Sequence, residues 1–160
     1  MAERTDIQSM SGATFAISAE RPVTFDAAGY ADTGIDWTVV GQIEDHGSHG
    51  VQAEIIQFTA VDDAVVQKLK GSKNYGTKNL VVGNVESDAG QDLLATASES
   101  QNKYSGRITY ALGNGESAAA KTYLDVLVAS FEFQDGSVNS VRKIGVSMAI
   151  CKPPVRVAAT

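Results

Sequence analysis

The chain has 160 residues, 43% of them hydrophobic and 20% charged, a composition that gives one ordinary folding unit with a core and argues against a disordered chain. A net charge of −6 argues against a duplex-DNA binder, which would carry a basic face, and the single Cys151 rules out an intramolecular disulfide. The opening "MAERTDIQSMSGATF" has no apolar core of a signal peptide and no run reaches membrane-spanning length, so the expectation is folding in a cytoplasm.

In chain order, "GATFAISA" (12–19) reads as a first strand and "RPVTFDAAGYADTG" as a loosely ordered stretch. "DWTVVGQI" (36–43), rich in β-branched residues, is a second strand, and "VQAEIIQFTAV" (51–61) a third. Between them lie Glu44, Asp45, His46, Gly47, Ser48 and His49. Two imidazoles beside two carboxylates could in principle hold a metal. Neither a third histidine nor a nearby cysteine completes a shell, so no metal or other cofactor is expected and the stretch reads as a polar turn.

"DDAVVQKLKG" places Val65, Val66 and Leu69 at helical spacing, with Asp62 as N-cap and Gly71 as stop, which predicts a short helix. Gly71 and Gly76 have phosphate-loop spacing, but Thr77 and Lys78 stand in the wrong order and no helix follows. "KNLVVGNV" (78–85) is a strand. "SDAGQDLLATASES" (87–100) is a helix capped by Ser87, with Ala89, Leu93 and Ala97 on one side. "KYSGRITYALG" (103–113) alternates, with Tyr104, Ile108, Tyr110 and Leu112 on one face.

"TYLDVLVASFEF" and "VNSVRKIGVSMAIC" form a long closing hairpin. A three-residue turn of Gln134, Asp135 and Gly136, the glycine left-handed, would set Leu124 opposite Val146 and Val126 opposite Ile144. That register lines Leu124, Val126, Val128, Ile144, Val146, Met148 and Ile150 along one face. The other face carries Tyr123, Asp125, Leu127, Ala129, Asn139, Lys143, Gly145 and Ser147, a mixed set that is neither a second core nor a plain solvent surface. Such long arms cannot be covered by one small domain, so another chain is expected to cover them. The class is mainly β: a sandwich or half-barrel with one or two short helices and a long C-terminal hairpin. A lead (1–11), one domain (12–157) and a short tail (158–160) make up the chain. No nucleophile–base set can be assembled, so no enzyme is expected.

The succession "DWTVVGQI", "AEIIQFTAV", "KLKGSKNYGTKNLVV", "GQDLLATA", "YSGRITYAL" and the closing hairpin resembles the major tail tube proteins of long-tailed, siphovirus-type bacteriophages. The resemblance covers residues 12–157. It implies a virion structural protein, made in the host bacterial cytoplasm, whose subunits form hexameric rings that stack into a tube conducting genomic DNA. The partners implied are the chain itself, tail tip, tail terminator and tape measure proteins, and viral DNA held without sequence-specific contacts; no membrane is involved. Under this likeness Asp125, Asn139, Lys143 and Ser147 are candidates for the lumen face, although Lys143 departs from an acidic lumen. Glu44 to His49 become candidates for a ring-to-ring loop. Related tube proteins of contractile tails or type VI secretion, and a monomeric β-sandwich binding module, are the alternatives.

Overall fold

A computed structural model describes residues 7–160 and is mainly antiparallel β. Strand β1 (Thr14–Ser18) is followed by a short helix α1 (Ala27–Tyr30), β2 (Thr38–Val40) and β3 (Ile43–Asp45). Then come β4 (Gln52–Thr59), β5 (Val66–Asn74), β6 (Thr77–Gly83) and helix α2 (Ala89–Glu99). The chain closes with β7 (Tyr104–Thr109), β8 (Lys121–Gln134), β9 (Lys143–Ile150) and β10 (Val155–Val157). The main sheet runs β2-β1-β7-β8-β9-β6-β3, with β10 added on β8.

Its two edge strands, β2 and β3, are separated in sequence only by Gly41 and Gln42. The three Cα steps from Val40 to Ile43 reach at most about 11 Å, so the sheet must curl until its edges come close. The single strand expected over 36–43 is therefore broken at this corner, where Gln42 takes a positive φ of 58°. Helix α2 fastens the seam. Asp88, rather than the expected Ser87, is its N-cap, and the Asp88 carboxylate accepts from Gln91 N at 3.0 Å and from Gly41 N at 3.2 Å. The buried Gln91 amide donates to the carbonyls of Gly83 and Gly41 and accepts from Val85 N. Gly90 meets β2 so closely that a Cβ would lie 2.6 Å from Val40 Cα. Leu94 and Ala97 reach the core, and Leu93 only its margin.

Removing the Gln91 amide strands three backbone groups at once. Gln91→Ala is expected to lower stability by about 2–3 kcal/mol, read from chemical denaturation.

The interior face of the sheet holds Phe15, Ile17, Leu80, Val82, Leu124, Val126, Ile144, Val146 and Met148. All seven residues assigned to the apolar face of the last hairpin are buried. The turn is different: Val126 lies opposite Ile150, and the connection is the long loop 135–142 rather than Gln134-Asp135-Gly136. The face survived because the displacement is an even number of residues, which keeps every side chain on its side. A bulge at Ala129 then shifts the parity, so Phe131 pairs Val146 and Phe133 pairs Ile144.

Gln134 ends β8, and Gly136 is indeed left-handed at φ 73°. A Cβ there would press on the Ser140 hydroxyl, which itself accepts from Ser137 N at 2.6 Å. Gly136→Ala is expected to cost on the order of 1 kcal/mol, visible as a small fall in melting temperature.

The helix expected over 62–71 is absent. Those residues belong to the β4–β5 ribbon, with Ile56 opposite Leu69 and Phe58 opposite Gln67. The physical reason is that a helix here would have had no surface on which to bury Val65, Val66 and Leu69, whereas pairing with β4 satisfies the backbone directly.

Candidate assembly surfaces

Three regions are candidates for assembly, the last two carrying the loop and lumen residues singled out by sequence. The first is the β4–β5 ribbon, which forms its own two-stranded sheet beside the main one. Neither strand packs substantially on any other element. Pairing places Ile56, Phe58 and Leu69 on one face and Lys68 and Lys70, beside Ile55 and Val66, on the other. Phe58 is 60% and Leu69 65% exposed. Sequence reasoning missed this surface because it read β5 as helix. The overlooked signal is the run "VVQKLKGSKN" following "EIIQFT", which alternates on both sides of a turn.

The second region is the stretch 44–49. Glu44 and Asp45 belong to β3 and the rest to the loop after it. Asp45 accepts from Gly47 N at 2.8 Å, and Gly47 sits at φ 65° against the Asn79 carbonyl, where a Cβ would not fit. Lys78, 0% exposed, donates its Nζ to the His46 carbonyl. The loop is therefore fastened to β6 instead of hanging free. Among the described residues no group of three or more potential metal ligands forms. Burial, and then Lys78, hold both histidines below their ordinary range, with Arg156 adding to the effect at His49. Lys78 itself was legible: it shares strand parity with Leu80 and Val82, so it had to point inward.

Burial lowers Lys78 to about 8, against an ordinary value near 10.5. Between these values the unfolded chain binds more protons than the folded one, so stability rises with pH. From pH 8 to 9.5 the gain is expected to be about 1.5 kcal/mol, and the slope should be lost in Lys78→Met.

The third region is the outer face of β8 and β9. Asp125 is 0% exposed and cannot line a channel. Its two oxygens accept from Arg21 Nε and Nη2, both at 3.0 Å. Around them Tyr30 stacks on Tyr123 with centroids 5.0 Å apart, and Arg107 lies over Trp37. The stretch expected to be loose, 21–34, together with Trp37 from the expected strand, is thus a cover over a second, mixed core. Burial and the Asp125 charge push the Tyr30 hydroxyl up to about 12. Lys143 and Ser147 lie farther along, partly exposed, and Asn139 is exposed in the 135–142 loop. Lys143 reaches Glu44 at 2.7 Å, so a lumen candidate and a loop candidate are one ion pair. Ser147 pairs with both Asn79 and Ser130, giving a strip of uncharged polar groups.

No protein-family profile and no curated protein matches the sequence. Solved structures do. A chain of the anti-feeding prophage baseplate, 6-fold symmetrised, aligns with a TM-score of 0.71 at 12% identity, covering 98% of both chains. A chain of the SPP1 tail tube aligns at 0.64 and 12% identity over 94% of this chain and 80% of that one. The fold is a tail-tube fold. A chain from the sheath/tube terminator of an extracellular contractile injection system aligns at 0.68 and 10% identity, over 98% of this chain and 100% of the other. At these identities the likeness is one of architecture. It gives the curled sheet, the clasping helix and the projecting ribbon a common frame.

Proposed function

We propose that this protein is a structural subunit that assembles with copies of itself into stacked rings, forming a tube of the phage-tail kind. The observation that carries the reading is the free β4–β5 ribbon. A two-stranded ribbon is marginal by itself, and one that leaves Ile56, Phe58 and Leu69 in water acquires a stable context only when another surface covers them. A tail-tube fold supplies that surface on the next copy, where neighbouring sheets continue one another and remove open edges. Hexameric rings, a virion location, passage of DNA through the lumen, and contacts with tail tip, terminator and tape measure proteins are parts of the same proposal.

The lumen assignment is narrowed. Asp125 leaves it, and the strip of Thr77, Asn79, Ser130 and Ser147 with the neutralised Glu44–Lys143 pair takes its place. A wall of short uncharged polar groups gives phosphate nothing to adhere to. The 44–49 stretch is retained as the ring-to-ring contact. The contractile-injection-system likeness favours a second reading, the tube of a contractile particle; both readings share the ring and the channel.

The test is negative-stain microscopy of concentrated protein, with and without seeding by tail-tip complexes. Stacked rings with a central channel are expected, and a strictly monomeric protein under both conditions removes the reading.

A further inference from the structure

The corner between β5 and β6 and the C-terminal strand β10 enclose an open cleft of about 480 Å³. Lys73, Arg156 and His49 line it with the rings of Tyr75, Tyr110 and Pro154, and no carboxylate of the described residues lies in its wall. A second cleft, sharing Tyr110 and Arg156, adds Lys121 and again holds no acid among the described residues. This is unusual on a chain with 19 acidic residues and a net charge of −6. Neither Lys73 nor Arg156 forms an ion pair with a described residue; such pairs belong to Arg21, Arg142 and Lys143. The cations repel one another with no acid of the described residues lining the cleft to offset them, and the rings beside them offer apolar cover to whatever brings the counter-charge.

The opposite pattern occurs at the far end of the β4–β5 ribbon. There Val61, Asp62, Asp63, Ala64 and Val65 are all exposed. Val65 N donates to the Asp63 carbonyl at 2.7 Å, which makes the tip a tight turn. Neither carboxylate meets a cation of the described residues. Lys73, opposite Ala53, stands at the base of the same ribbon. The eight residues of β4, seven of them paired with β5, hold base and tip about 26 Å apart, so the tip cannot fold back onto its own cleft.

We propose that the Asp62–Asp63 tip of one copy seats in the Lys73–Arg156 cleft of the next, its carboxylates on the two cations and Val61 and Val65 against the tyrosine and proline rings. The occupant is a second copy of this chain, selected by charge. Because tip and cleft are unlike patches, the contact passes from copy to copy and builds closed rings or continuing stacks rather than a two-fold dimer. This inference rests on the tube reading and names the contact that propagates it.

Charge reversal tests it, using sedimentation and negative-stain microscopy on the full chain at about 0.1 M salt, where surface charges are felt over about 10 Å. Asp62→Lys with Asp63→Lys, and separately Lys73→Glu with Arg156→Glu, are each expected to raise the critical concentration at least about tenfold. Carrying all four substitutions in one chain should restore assembly. All four positions are exposed, and thermal melts check that each variant folds. Either reversed variant assembling like the parent, or a folded four-fold variant that fails to recover, overturns the proposal while leaving the tube reading intact. A parent chain that never assembles overturns both.

Discussion

Phe58→Glu combined with Leu69→Glu is expected to give a protein that melts as the parent does but remains monomeric at every accessible concentration. Both side chains lie on one face of the β4–β5 ribbon and more than half of each is in water, so the folded monomer loses little. The assembled state loses much more. Covering such side chains is worth roughly 1.5–3 kcal/mol each, and an unpaired carboxylate in their place adds a desolvation cost of similar size. Together these raise the critical concentration by more than about a thousandfold. Analytical ultracentrifugation reads the result. Double variants that still polymerise would show that the ribbon face is not an interface.

Arg21→Met is expected to produce the largest loss of monomer stability. It leaves Asp125 buried without its bidentate partner, beneath Tyr30 and Tyr123. Breaking a buried pair from one side costs about 3–5 kcal/mol; Arg21 is itself partly exposed, and water entering there reduces this to about 3 kcal/mol. The melting temperature should fall by roughly 6–12 °C. Exchange of the amides in 20–37 should quicken first, because this cover is what the pair secures. Removing both partners, as Arg21→Met with Asp125→Leu, should recover a substantial part of the loss, since no buried charge then remains.

The two core strands β8 and β9 were legible because strict alternation fixes faces, and faces survive any even error in register. Their turn was not legible: the choice between a tight loop and 135–142 rests on where β9 starts, and Val138 and Val141 look strand-like although they stand in water. The same ambiguity hid Asp125. Alternation assigned it correctly to the face away from Leu124, but nothing local reveals that Arg21, 104 residues earlier, comes back to cover that face. For β5, a helical spacing of three apolar residues competed with a plausible strand, and only the absence of a packing partner decided between them. The candidates in 44–49 were adjacent in sequence, whereas their anchor Lys78 is distant, and a single sequence does not announce such pairs.

The β4–β5 ribbon is made of near neighbours in the chain, while the body of the molecule waits for Phe15 to find Ile108 and for Leu80 to find Val146. Hairpins close in about 1–10 μs, but sheets built from distant segments take milliseconds to seconds. During synthesis the ribbon, with Ile56, Phe58 and Leu69 in water, is therefore complete long before the main sheet. Every newly made chain passes through an interval in which this apolar face is exposed beside a body that has not yet folded. Lys68 and Lys70 on the reverse face are placed to limit the damage, because like charges keep immature ribbons from stacking back to back. Yield at high expression should thus depend on these two lysines more than on any core residue.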